Sequence, residues 1–176
     1  MQQKTFTTPI GTAKWFSLTT PDKFGSYTCE LILEDAPETH KLVSEVESMA
    51  NVPSPFKVQE DGTVILKMKI RSQGNKKDGS TYKVNPPAIY NAIGKRLSGE
   101  DLAELAVGNG SKIRAKIEFK TWAFNGKEGI SAKPKSVQIA ELIVFQGGGD
   151  LGFDALELSE TDEVPENNEE AGNYDF

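Results

Sequence analysis

The segment from residue 112 to 124 constrains the fold more than any other part of the sequence. Apolar side chains occupy every second position from Ile113 to Phe119, and charged side chains fill the positions between them. Because neighbouring side chains of a β-strand point to opposite faces, this period of two predicts a long strand with one buried and one solvent-facing side. Similar alternation at 26–34 and 64–71 predicts further strands, so we expect a mainly β body.

The solvent-facing side of this strand carries cations and ends in two aromatic residues. Its members are Lys112, Arg114, Lys116, Lys120, Trp122 and Phe124, with Glu118 as the one acid among them. The predicted strand at 64–71 places Lys67, Lys69 and Arg71 opposite an apolar face. Cations bind phosphates, and exposed rings stack on unpaired bases with about 1–3 kcal/mol per base whatever the sequence. We therefore interpret both faces as a surface for single-stranded nucleic acid; ordinary solvent-facing lysines are the alternative interpretation.

The sequence leaves the placement of two further aromatic positions open. Trp15 and Phe16 are adjacent in a predicted strand at 10–18, so their side chains do not share a face. We expect one ring in the core and the other on the binding face, and Trp15 is included among the candidate DNA-binding residues. Tyr82 is equally compatible with core and surface.

A helix and several connections are predicted between the strands. Leu42, Val46 and Met49 recur at helical spacing, which favours a helix whose apolar stripe packs on the core. Asp35 and Glu38 have the spacing of a capping box at its start. The remaining predictions are a polar loop at 74–79, extended pieces at 81–84 and 88–93, a helical turn at 98–107, a turn at 125–127 and a last strand at 137–145.

The residue content argues against several classes of protein. A single cysteine, Cys29, excludes an internal disulfide, and with a single histidine, His40, it is too little for a Cys/His zinc site. Neither a phosphate-binding loop nor a nucleophile motif is present, so we expect no enzyme, no cofactor and no metal site. No stretch approaches the roughly 20 apolar residues of a membrane span, so we expect a soluble protein without membrane contact.

The last 27 residues, 150–176, differ in charge from the rest of the chain. They hold ten carboxylates and no Lys or Arg, which leaves 20 basic against 16 acidic side chains in residues 1–149. This composition predicts a domain at 1–149 followed by a disordered acidic tail at 150–176. A flexible segment of this length reaches roughly 30 Å, far enough to place its carboxylates on the basic faces of the body. Tyr174, Asp175 and Phe176 are expected to bind a partner.

Several short motifs occur in the order that one protein family shows. They are Gly11-Thr12-Ala13, Asp61-Gly62-Thr63, Gly110-Ser111-Lys112, Ser136-Val137, Glu141-Leu142, Gly147-Gly148-Gly149-Asp150 and Asp175-Phe176. With these motifs the chain resembles the single-stranded DNA-binding proteins of short-tailed (podovirus-type) bacteriophages. The resemblance implies a five-stranded OB-fold barrel with one helix insertion, and it places binding aromatics at Trp122 and Phe124.

The resemblance also implies a function and partners. It implies sequence-independent binding of single-stranded DNA in phage DNA replication and recombination, in the cytoplasm of the infected bacterial host. It further implies an acidic tail that shields the DNA site and contacts the phage DNA polymerase and helicase/primase, and it leaves a homodimer open. The sequence alone leaves two alternatives open: a non-enzymatic interaction adaptor or DNA mimic that acts through the acidic tail, and an OB-fold that binds RNA.

Overall fold

Ten strands and two helices make up the described part of the chain. The structure is a computed structural model, and it describes residues 2–144. The elements are β1 (Gln3–Thr7), β2 (Gly11–Ser17), β3 (Ser26–Leu33), α1 (Pro37–Glu47), β4 (Phe56–Val58), β5 (Val64–Arg71), β6 (Gln73–Asn75), β7 (Thr81–Lys83), β8 (Ala88–Tyr90), α2 (Gly99–Ala103), β9 (Lys112–Phe124) and β10 (Lys127–Glu141). The prediction of a mainly β fold is confirmed. The predicted tail and its partner-binding residues lie outside the described residues.

Five of the strands form a curved sheet in the order β5-β3-β2-β9-β10. β10 then returns to lie beside β5, although no hydrogen-bonded ladder joins this pair within residues 2–144. β4 and β8 extend the two ends of the sheet, β1 pairs with β9, and β6 and β7 form a separate hairpin. The strand order and the return of β10 to β5 are consistent with the expected OB-fold barrel.

The core fills the inside of this curved sheet. The inward residues of β9, from Ile113 to Phe119, are almost completely buried, as the alternation predicts. The Phe119 ring lies at the centre of an aromatic group, with its centroid 6.1 Å from that of Phe6 and 5.8 Å from that of Phe56. The predicted apolar stripe of α1 is also buried, at Leu42, Val46 and Met49.

The start of α1 differs from its prediction. The helix is capped by Ala36, whose side chain accepts no hydrogen bond, so the predicted capping box of Asp35 and Glu38 is wrong. The Asp35 carboxylate instead contacts the His40 ring, with 2.6 Å between Oδ1 and Nε2. His40 is exposed, as expected for a surface residue of the helix.

Two stretches that the sequence does not mark clearly as strands are strands in the structure. β6 occupies the start of the predicted loop at 74–79. β10 begins at Lys127, where the prediction begins it at 137. Its first half contains Gly129 and Pro134, which are both unfavourable in strands and hide the alternation of buried Ile130 and Ala132.

Cys29 is buried in β3, as its apolar surroundings predict. Burial raises the pKa of the Cys29 thiol to about 12, so the thiol stays protonated at neutral pH and is a poor nucleophile. Within residues 2–144, no cluster of three or more His, Cys, Asp or Glu side chains is placed to hold a metal ion. No helix of this part is long and apolar enough to cross a membrane.

Candidate nucleic-acid interface

The outer face of β5 carries the cations that the sequence predicts there. Lys67, Lys69 and Arg71 are exposed, and the alternate residues Leu66 and Met68 are buried in the core. The face is fixed by the pairing of β5 with β3 along its whole length. β4 covers the other edge of β5 only as far as Leu66, so the part of β5 that bears the cations borders on β10 without a strand between them.

A groove of about 920 Å³ lies between the outer parts of β5 and β10. Its cationic lining consists of Lys67, Lys69, Arg71, Lys133 and Lys135. Glu118 is the one carboxylate among the lining residues, and it is held by a hydrogen bond from Gln3 and by Lys135, whose Nζ lies 3.8 Å from its Oε1. The groove is therefore positively charged, as a site for a phosphate backbone requires. Lys133 and Lys135 are not among the residues predicted from the sequence, because they lie in the first half of β10, before the predicted start of the last strand at 137.

The predicted cations of β9 lie in different surroundings. Arg114 and Lys116 line a smaller depression of about 520 Å³ beside β8, and the Nε of Arg114 donates a hydrogen bond of 2.8 Å to Gln138. The amine of Lys112 donates to the Thr12 hydroxyl at 2.9 Å. Lys120 is half-buried. Of the predicted cations of β9, only Arg114 and Lys116 line a depression, and this depression is separate from the groove that the β5 cations line.

The predicted aromatics Trp122 and Phe124 lie on the β9–β10 hairpin. The turn has positive φ at both Asn125 and Gly126, 52° and 77°, which is the conformation of a tight type I′ hairpin turn. Phe124 is largely exposed, whereas the Trp122 ring is 41% exposed and packs on Gly129, its partner across the hairpin. Gly129 precedes Ile130, a lining residue of the groove, so the hairpin that carries Trp122 continues directly into the strand that borders the groove.

Trp15 is on the surface, and Phe16 packs against the core. The backbone of Trp15 has a φ of 53°, a conformation that costs free energy for a bulky residue. Its amide donates to Asn109 Oδ1 at 2.9 Å, and the pairing of β2 with β3 is irregular at this point. The ring is 66% exposed. Residues with strained backbone conformations cluster at functional sites.

One exposed aromatic of this region is not among the residues predicted from the sequence. Phe24 lies in the loop between β2 and β3, is 79% exposed, and has the Lys23 amine 5.2 Å from its ring centroid. In OB-folds the second and third barrel strands, the loop before them and the hairpin between the last two strands bind oligonucleotides. These correspond here to β3, β5, the loop with Phe24 and the hairpin with Trp122.

Comparison with known proteins agrees with this geometry. No protein-family model matches the chain. The single-stranded DNA-binding protein of Escherichia phage T7 is 26% identical to it over 89% of this chain and 84% of that protein. The crystal structure of gp2.5, a single-stranded DNA-binding protein encoded by bacteriophage T7, superposes with a TM-score of 0.70 at 22% identity, covering 90% of this chain and all of the other. The resemblance to phage single-stranded DNA-binding proteins is confirmed.

A second phage protein of this kind has the same fold. The single-stranded DNA-binding protein of bacteriophage Enc34 superposes with a TM-score of 0.58 at 14% identity, over 83% of this chain and 87% of that one. Its structure in complex with single-stranded DNA also superposes with a TM-score of 0.58, over 81% of this chain and 89% of that one. At these identities the likeness is one of fold.

Proposed function

We propose that this protein binds single-stranded DNA without sequence preference. The observation that carries the proposal is the groove between β5 and β10, where five cations lie beside a hairpin that presents an exposed tryptophan. Phosphate contacts and base stacking are both independent of base identity. The similarity to a phage protein whose structure was solved with single-stranded DNA supports the same function.

The wider role that we propose is in phage DNA replication and recombination, in the cytoplasm of the infected host. In this proposal the body, 1–149, binds and protects DNA, and the acidic tail, 150–176, competes with DNA for the groove. Tyr174, Asp175 and Phe176 would contact the phage DNA polymerase and helicase/primase, and the protein would act by binding alone, with a homodimer as one arrangement of the chains. The charge contrast of ten carboxylates against a basic body supports the competition.

Deletion of residues 150–176 tests this proposal against the adaptor hypothesis. The shortened chain is expected to bind fluorescein-labelled oligo-dT more tightly than the full chain at low salt, because the tethered competitor is gone, and the difference is expected to shrink as salt rises. Fluorescence anisotropy measures both affinities. Absence of binding in both forms would favour an adaptor or DNA mimic that acts through the tail.

A competition between oligo-dT and oligo-U decides between DNA and RNA, since stacking alone does not distinguish them.

Replacing Trp122 with alanine is expected to weaken the binding of oligo-dT by about 5- to 150-fold, the loss of one base stack. Trp122→Phe keeps a ring on Gly129 and is the matched control, for which we expect most of the affinity to remain. Anisotropy titrations of the two variants and the parent chain measure the effect. If the alanine variant binds as tightly as the phenylalanine variant, the ring at position 122 does not stack on a base.

A further inference from the structure

The β6–β7 hairpin holds a tyrosine in a fixed position beside the groove. Tyr82 is the cross-strand partner of Gly74. A Cβ atom added to Gly74 would lie 2.2 Å from Cζ of the tyrosine and 2.6 Å from Cε1, so the ring lies directly on the glycine backbone. Tyr82 is 49% exposed, so part of its ring is open to solvent.

The same pairing of a ring with a glycine occurs at Trp122. Its cross-strand partner is Gly129, where an added Cβ would lie 3.0 Å from Cζ2 of the indole. In each of the two hairpins, one aromatic ring thus packs on a glycine of the neighbouring strand. Glycine often marks such positions, because it has no side chain to block the close approach. A ring held in this way loses little conformational entropy when a base stacks on it.

The hairpin that carries Tyr82 is well ordered by local hydrogen bonds. The Val84 amide donates to the Ser72 carbonyl at 2.9 Å, and the Lys76 amide donates to the Ser80 carbonyl at 2.8 Å. In the turn, Asp78 Oδ1 accepts from the Ser80 amide at 2.9 Å and from its hydroxyl at 2.6 Å. The hydrogen bonds from Ser80 lower the pKa of the Asp78 carboxyl, because they stabilise its charged form. The hairpin is therefore a preformed support rather than a loose loop.

Tyr82 lies in the lining of the same groove as the β5 cations. The groove is bordered by Lys67, Lys69 and Arg71 on one side, and the hairpin with Gly74 and Tyr82 follows β5 directly along the chain. A strand whose phosphates contact the β5 cations therefore has its bases within reach of the tyrosine ring. The combination of a cationic track and a flat exposed ring is the recognised basis of sequence-tolerant single-strand binding.

We propose that Tyr82, seated on Gly74, is a second base-stacking residue of this protein, and that the β6–β7 hairpin forms a wall of the groove. The proposal rests on the proposed function, since it names a further contact to the same single strand. It also explains why a hairpin outside the barrel ladder carries a glycine opposite a tyrosine.

Three variants of the full chain test the proposal in anisotropy titrations with labelled oligo-dT. Tyr82→Ala is expected to weaken binding by about 5- to 150-fold, and Tyr82→Phe, which keeps the ring, is expected to bind like the parent chain. Gly74→Ala keeps the tyrosine but places a methyl group where the ring lies, so it is expected to weaken binding as well. Both affected residues lie outside the hydrophobic core, and thermal melts are expected to show an intact barrel in all three variants.

The dependence of the affinity on salt separates stacking from charge. Tyr82→Ala removes no phosphate contact, so the slope of log K against log salt is expected to match that of the parent chain. Lys69→Gln, by contrast, is expected to make that slope shallower by about 0.7. If the parent chain binds oligo-dT and Tyr82→Ala binds equally well, or if the alanine variant changes the slope, the stacking role of Tyr82 is refuted while the proposed function stands. If the parent chain does not bind, the proposed function fails first.

Discussion

A chain in which Lys67, Lys69 and Arg71 are all replaced by glutamine is expected to lose most of its affinity for single-stranded DNA. These three side chains form the β5 side of the groove. Neutralising three phosphate contacts on a single strand lowers the salt slope by about 2 and the affinity by roughly 10²- to 10³-fold at about 50 mM salt. At about 200 mM salt the same loss amounts to roughly 30-fold, because each released counterion gains less entropy when the bulk salt concentration is higher. Anisotropy titrations at several salt concentrations measure both quantities.

A matched triple variant controls for the change in net charge. Lys41, Lys57 and Lys95 are exposed and are absent from the lining of either depression, so their replacement by glutamine removes the same charge from other surfaces. We expect this control to weaken binding far less and to leave the salt slope close to that of the parent chain. Equal losses in the two triple variants would mean that overall charge, and not the groove, determines binding.

Replacing Phe119 with alanine is expected to destabilise the domain by about 3–5 kcal/mol, the range for truncating a buried phenylalanine. The ring is completely buried and contacts the rings of Phe6 and Phe56, so its removal takes away the packing of these two side chains on β9. A loss of this size is comparable to much of the stability of a typical domain. Urea denaturation followed by circular dichroism gives the free energy of unfolding.

Replacing Phe24 with alanine is the matched control, because it makes the same substitution at an exposed site. Its ring is on the surface of the loop between β2 and β3, so Phe24→Ala is expected to change the free energy of unfolding by less than about 0.5 kcal/mol. If both alanine variants unfold at the same urea concentration, the core assignment of Phe119 is wrong. The comparison tests the fold without reference to DNA binding.

The fold is predictable from the sequence where one face of a strand is buried. The alternation in β5 and β9 gives both their extents and the faces on which their cations lie. The alternation does not reveal the first half of β10, because Gly129 and Pro134 interrupt it. The turn at Asn125 and Gly126 is the signal that locates the start of β10, since a type I′ turn requires the return strand to follow at once.

The composition of the site depends on contacts that no local pattern encodes. The return of β10 to the side of β5 brings Lys133 and Lys135 into the same groove as the β5 cations, and Arg114 and Lys116 line a separate depression beside β8. Trp15 and not Phe16 is exposed, and the backbone of Trp15 has a positive φ and donates to Asn109. Such a local irregularity with a long-range contact is not contained in a period of two.

The glycines opposite Tyr82 and Trp122 are a signal that the sequence does contain. A glycine within a strand often marks a point where a side chain approaches the backbone closely. Gly74 and Gly129 do so in the structure, but the pairing of the strands is needed to show which ring each one carries. The sequence thus indicates that a side chain packs closely on these glycines, but it does not identify which aromatic ring does so.

Titration of the full chain with oligo-dT, followed by intrinsic tryptophan fluorescence, tests the central claim most directly. Trp122 on the β9–β10 hairpin and Trp15 are both exposed and are expected to report the binding of bases as quenching. With three to five of the groove cations in contact with phosphates, the affinity is expected to fall by roughly 20- to 130-fold between about 50 and 200 mM salt. Absence of quenching and of a gel shift at the lower salt concentration, even after deletion of residues 150–176, would contradict the assignment of this protein as a single-stranded DNA-binding protein.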